Sequence, residues 1–268
     1  MSCKNCKSEL DTLNNFCSEC GAKVVRERIT IKSIIQNILF ALGWDSNFFV
    51  TLRHLLYKPH VVFKEYANGT RKKYADPFTF FAISLAISLF TFNQYSEKFI
   101  EMSTATNMQQ LETMDNESLS VDKNESKGLK LLGFDSQEEF SIAIMEFQLK
   151  YYNIISFLYL PLFTLIAFLV FRKPYNYGEH LVFNTYISSI TTFIGVLLFV
   201  FSLFTGINIL LYATFVTFFY YSFVYKKLYE LSLGKLILKI LKFVFILLLF
   251  VIVFAVIGFI VAMIVSKI

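Results

Sequence analysis

Polar and apolar positions divide the chain into long apolar runs separated by charged connectors. The run from Leu181 to Tyr225 contains no Lys, Arg, Asp, Glu or His. About 20 apolar residues cross the hydrocarbon layer of a bilayer. This run is about two crossings long, and Thr205-Gly206-Ile207-Asn208 supplies a turn near its middle. The pattern predicts a helical hairpin in a membrane. Three further runs complete the set, giving spans at about 77–96, 151–171, 181–204, 207–225 and 243–266. Asp76 is placed to cap the first of these, with Pro77 in its first turn. Pro161 falls in mid-span and predicts a kink. The expected fold class is therefore an all-α membrane protein of about five transmembrane helices.

Between the first two spans lies an acidic stretch, residues 97–150, with 11 Asp and Glu against 5 Lys. Its middle, around Asn107 to Lys127, reads as flexible loop. Ser136-Gln-Glu-Glu139 resembles a capping box that starts a helix. Residues 24–75, ahead of the first span, are basic and amphipathic. Ile31, Ile34, Ile35, Ile38 and Leu39 fall at helical spacing, as do Phe48, Phe49, Leu52, Leu55 and Leu56. Val61 to Tyr66 is a third, short stripe, stopped by Asn68-Gly69. Basic helices with aromatics on the opposite face tend to lie in the membrane interface. A small soluble helical domain is the alternative.

Composition agrees with the pattern. Of 268 residues, 56% are hydrophobic and 17% charged, and mean hydropathy is +0.56, the profile of a polytopic membrane protein. The 32 Phe and 15 Tyr suit lipid-facing surface, which asks only for apolar area; an aromatic ligand site is the other reading. No apolar core follows Met1-Ser2-Cys3-Lys4, so the first span is expected to act as the insertion signal. Charge sets the orientation. The connectors on the amino-terminal side hold 19 Lys and Arg, and those on the opposite side 6. The positive-inside rule then puts the amino terminus in the cytosol and the acidic loop 97–150 outside.

All four Cys lie within the first 20 residues, as Cys3-Lys-Asn-Cys6 and Cys17-Ser-Glu-Cys20-Gly21. Two Cys-x-x-Cys knuckles supply the four sulfurs that a tetrahedral structural Zn²⁺ site uses. Redox dithiols or an iron centre are the alternatives. Residues 1–23 are too few for a hydrophobic core, so a metal must supply the folding energy, on the order of 10–16 kcal/mol. Four thiolates leave no open position for a catalytic water, which makes the predicted zinc structural. Gly21 sits where the second knuckle needs a positive φ.

Glu179, His180, Asn184 and Ser188 form the other candidate site. His180, Asn184, Ser188 and Thr191 fall on one stripe descending into the third span. The functional reading is a proton-linked or ligand site at the cytosolic mouth; the plainer one is an interfacial cap with hydrogen bonds between helices. No phosphate loop, Ser-His-Asp set or His-based metal motif is present. The expectation is a protein that is not an enzyme: a binding, regulatory or scaffold module whose ribbon recognises a cytosolic protein partner, anchored among membrane lipids. The alternative is a small-solute or lipid transporter or channel that uses the polar stripe. Nucleic acid is a poor partner for the ribbon, because Lys4, Lys7 and Lys23 face Glu9, Asp11, Glu19 and four thiolates.

Several segments carry a resemblance. They are Cys3-x-x-Cys6…Phe16-Cys17-x-x-Cys20-Gly21, Arg28-Ile-Thr-Ile-Lys32, Thr51-Leu52…Leu55…Pro59, Tyr66-x-x-Gly69-x-Arg71-Lys-Lys-Tyr74-x-x-Pro77-Phe78 and Glu179-His-Leu-Val-Phe183. Over residues 1–95 and about 150–190 the chain resembles an uncharacterised bacterial family of multi-pass membrane proteins with an amino-terminal zinc ribbon, classed as a domain of unknown function. The resemblance implies an architecture and no activity.

Overall fold

The computed structural model describes residues 2–10, 15–24, 30, 46–115 and 136–265, and their side chains except at 46, 106–115, 137, 210–211 and 254–265. The predicted helix around Ile31 to Leu39 lies outside the described residues. The chain divides into two compact units, Met1–Ala41 and Leu42–Ile268.

The first unit contains two knuckles built alike. In one, the N–H of Lys7 donates to the carbonyl of Cys3 (2.9 Å) and the N–H of Cys3 to Ser8 (2.8 Å). In the other, Gly21 donates to Cys17 (2.9 Å) and Cys17 to Ala22 (2.9 Å). One antiparallel bridge pair flanks each knuckle, Ser2 with Glu9 and Phe16 with Lys23. Gly21 takes the expected left-handed conformation at φ 69°, and Lys7 takes its counterpart at φ 66°. Only Lys7 meets the Cβ penalty of that conformation.

Among the described residues of the second unit, the regular elements are all helices. Its elements are α1 (Ser46–Tyr57), α2 (Pro59–Ala67), α3 (Pro77–Gln94), α4 (Ser96–Asp115), α5 (Gln137–Lys150), α6 (Tyr152–Phe171), α7 (Tyr177–Thr205), α8 (Leu210–Leu228) and α9 (Leu233–Val265). Four stretches are long and apolar enough to cross a membrane: Pro77–Gln94, Tyr152–Phe171, Tyr177–Thr205 and Leu233–Val253. Helix α8 occupies the predicted fourth span and is not among these four.

The helix ends follow local chemistry. The Asp76 carboxylate accepts from the N–H of Phe78 (3.1 Å) and Thr79 (3.0 Å), and so caps α3. The Ser136 hydroxyl accepts from Glu139 N–H at 3.1 Å and starts α5 where predicted. Gly206 ends α7 at φ 70°, which places the hairpin turn at the expected residues.

Two boundaries differ from the sequence reading. The stretch read as flexible around Asn107 is helical through Asp115, as part of α4. Likewise α9 begins at Leu233, ten residues before the predicted fifth span, because Lys235, Lys239 and Lys242 interrupt hydropathy but not helix propensity.

The core of this unit joins α1 and α2 to the start of α7 and the end of α8. Leu55, Val62, Phe63, Phe183, Tyr186, Ile187 and Val224 are all fully buried there. Phe63 stacks on Phe183, with ring centroids 4.8 Å apart. Part of each amphipathic stripe thus packs on the bundle, through Phe48 and Leu55 of α1 and Val62 and Phe63 of α2, while Phe49 and Leu56 stay exposed. Ser84 and Ser88, four residues apart and fully buried, lie on α3, the helix that packs most closely on α7. Small side chains permit that close approach. A second cluster of Phe92, Leu149, Val196 and Phe199 sits where α4 and α5 meet the far ends of α3 and α7.

Candidate functional site

In the first unit the four Sγ atoms of Cys3, Cys6, Cys17 and Cys20 lie within 4.8 Å of one another. Cys3 and Cys17 are buried, Cys6 and Cys20 exposed. Cys3 and Cys20 approach to 3.7 Å, and Cys6 and Cys17 to 3.6 Å. A tetrahedral ion with metal–sulfur bonds of about 2.3 Å sets its sulfurs about 3.8 Å apart, so the four thiols fit such an ion. The Ser8 hydroxyl lies 3.0 Å from Cys6 Sγ and 3.3 Å from Cys17 Sγ. That contact is the main cause that pulls the Cys17 thiol down to about 6 and lowers Cys6 as well. A hydroxyl aimed at sulfur stabilises thiolate, the form that binds metal.

The second site is the polar stripe of α7. Asn176 and Glu179 form a capping box: Asn176 Oδ1 accepts from Glu179 N–H (3.0 Å), and Glu179 Oε2 accepts from Asn176 N–H (2.7 Å). Glu179 therefore serves the helix end and stands apart from the rest of the stripe. His180 and Asn184 are fully buried, and Ser188 is half-buried. They meet a ladder of tyrosines on α8 and just beyond it, Tyr221, Tyr225 and Tyr229. Successive rings of the ladder stack nearly parallel, with centroids 6.4 and 6.1 Å apart. His180 Nδ1 lies 3.3 Å from the Tyr225 hydroxyl, and Nε2 lies 2.9 Å from the Tyr229 hydroxyl. The Asn184 amide donates to the His180 carbonyl (2.9 Å) and to the Tyr225 hydroxyl (3.3 Å). Ser188 reaches Tyr221.

The amide assignment is forced. Turned over, Asn184 would set oxygen against the His180 carbonyl oxygen. Tyr225 thus accepts from Asn184, and in the two His180–tyrosine bonds the ring nitrogen that carries the proton donates while the other accepts. Asn184 Oδ1 is buried with no partner among the described residues. The stripe was readable in the sequence. The ladder was missed, although tyrosines every four residues at 221, 225 and 229 are the period of a helix face.

A third set of polar contacts fixes the strap between α2 and α3. Gly69, at φ 97°, turns the chain out of α2. Arg71 lies over the Tyr66 ring at 5.7 Å. Glu65 accepts from Lys73 (2.7 Å) and from the Tyr74 hydroxyl (2.7 Å), and those bonds hold its carboxyl below the usual carboxylate range. The Thr51 hydroxyl accepts from Ala75 N–H (2.8 Å), and the Tyr186 hydroxyl of α7 donates to the Ala75 carbonyl (2.6 Å).

These contacts explain the motif Tyr66-x-x-Gly69-x-Arg71-Lys-Lys-Tyr74-x-x-Pro77. Residues 45–89 match the family described as "Protein of unknown function (DUF3667)". The match covers α1, α2, the strap and most of α3, and it includes neither the four cysteines nor α7. To that family, over those residues, the chain is similar. No curated protein and no solved structure matches the chain.

Proposed function

We propose that the chain is a non-catalytic, multi-pass protein of the bacterial cytoplasmic membrane whose zinc-bound ribbon recognises a protein partner in the cytosol. The observation that carries this reading is the closed set of four sulfurs: every coordination position is taken, so the ion builds a surface and not a reaction centre. Zinc is favoured by the tetrahedral spacing and by the all-sulfur donor set. The excess of 19 basic residues over 6 across the predicted sides supports a cytosolic ribbon.

The transporter reading draws less support. Both His180 ring nitrogens are taken up by tyrosines, and the stripe is buried against them. A permeation path needs polar groups left for a solute. The cluster instead acts as hydrogen-bonded glue between α7 and α8.

The test has three readouts. Metal analysis of freshly reduced, full-length protein is expected to give about one zinc per chain, and none for Cys17→Ser. Reporters fused after Lys23 or at Lys226 are expected to read cytosolic, and one near Asn116 external. Crosslinking in cells is expected to capture a protein partner with the parent chain and to lose it with Cys17→Ser, while the variant stays in the membrane. An external reading at Lys23 reverses the orientation, and a partner retained by the metal-free variant ends the ribbon's role.

A further inference from the structure

A cavity of about 330 Å³ lies between α6, α8 and α9. It is outside the polar ladder, touching it only through Tyr221 and Tyr225. Its walls are aromatic and aliphatic, with Phe163 and Phe171 from α6, Phe218 from α8, and Phe243 and Leu247 from α9. On α9 the lining runs from Leu236 to Leu247, about 16 Å of helix. On α8 it runs over a similar length, from Thr214 to Tyr225. Half of a hydrocarbon layer of about 30 Å is about 15 Å, the depth of one leaflet.

The two ends of the cavity differ. At the end where α6 stops, the ammonium of Lys239 donates to the carbonyl of Val170 and lies 5.5 Å over the Phe171 ring. An ammonium has three protons, and one is committed to Val170. Lys235 and Lys242 stand at i−4 and i+3 from Lys239, both exposed, and Arg172 and Lys173 follow α6, also exposed. The apolar slot therefore has a basic rim at one end. Helix α9 adds to this, since only 6% of its spanning window is buried within the protein. Its remaining surface is left for lipid.

We propose that this cavity binds one anionic phospholipid, with an acyl chain along Phe163, Phe218 and Leu247 and the phosphate on the Lys239 ammonium, flanked by Lys235 and Lys242. Charge decides the occupant. A zwitterionic lipid fills the slot equally well but brings its own cation to the rim, whereas a net-negative headgroup gains from every lysine there. The inference rests on the membrane reading of α6 and α9, and on no property of the ribbon.

The experiment uses full-length protein extracted in mild detergent and observed by native mass spectrometry, with phosphatidylglycerol or phosphatidylcholine added. One phosphatidylglycerol per chain is expected to be retained at concentrations where phosphatidylcholine is lost. Lys235→Gln with Lys242→Gln, both on exposed positions, is expected to weaken retention about 25-fold, at about a fivefold loss for each of the two charges near a headgroup. Lys239→Gln weakens it further, and Lys239→Arg keeps it. Thr217→Phe, which fills the slot, removes retention while the rim stays intact. Equal retention of both lipids, indifference to all three lysines, or a lipid-free dimer closing the slot overturns the proposal. Protein released from membranes by alkaline carbonate without detergent overturns the membrane reading itself. Protein that needs detergent yet shows no headgroup preference overturns this inference alone.

Discussion

Replacing Tyr186 by Phe removes one oxygen and nothing else from the centre of the bundle. That oxygen donates at 2.6 Å to the carbonyl of Ala75, 111 residues earlier in the chain, immediately before the capping Asp76. Tyr186 is fully buried and Ala75 is 7% exposed, so water has no easy access to the orphaned carbonyl. The Phe ring keeps its place against Phe63 (6.2 Å) and Phe80 (6.1 Å), and the loss is confined to the hydrogen bond. Removing one partner and leaving the other buried costs about 1–3 kcal/mol. At about 2 kcal/mol, thermal unfolding in detergent should fall by about 4–8 °C for a domain of this size. Tyr212→Phe, an exposed ring on α8, is the control and should stay within about 0.5 kcal/mol. The Tyr186→Leu change should cost more, through the lost ring contacts as well. If Tyr186→Phe melts with the parent, the Ala75 carbonyl is satisfied elsewhere and the hydroxyl is not the tie between the strap and α7.

Three other outcomes follow from the geometry. Lys7→Gly relieves a left-handed non-glycine residue at φ 66°, and should tighten zinc binding by about 0.5–1 kcal/mol, read by competition with a chelator. Glu65 has its folded pKa depressed below 4.5, so its contribution is present above pH 4.5 and is lost as the pH falls through the folded value; with a third of the side chain exposed it is about 0.5 kcal/mol, and Glu65→Gln should flatten the acid limb of a stability profile. Tyr229→Phe leaves His180 Nε2 without its 2.9 Å partner and should destabilise by about 1–2 kcal/mol, more than the same change at exposed Tyr159.

Features that rest on local chemistry were legible in the sequence. The cap at Asp76, the start at Ser136, the turn at Gly206 and the left-handed Gly21 depend on neighbours a few residues away, and each appears where its residues predict it. Four of the five predicted apolar runs were equally legible, because length and hydropathy alone decide them. What escaped needs partners distant in sequence. The amphipathic stripe of α1 and α2 could face lipid or protein; only the burial of Leu55 and Val62 against Phe183 and Val224 decides it. Phe183 is fully buried and stacked on Phe63, a partner 120 residues earlier in the chain. His180 was legible as a polar residue entering a span, but its two tyrosine partners lie 45 and 49 residues away. Glu179, next to His180 in sequence, belongs to the cap of α7 instead.

The hydrogen bonds around His180 divide into a fixed part and a free part. The Asn184 amide is fixed, one proton on the His180 carbonyl and the other on the Tyr225 hydroxyl. The bonds from His180 to Tyr225 and Tyr229 take their sense from the ring, because whichever nitrogen carries the proton donates and the other accepts. Moving the proton from one nitrogen to the other asks the two tyrosine hydroxyls to rotate and leaves the amide where it is. One arrangement of heavy atoms therefore serves two arrangements of hydrogen, and α7 stays tied to α8 in both.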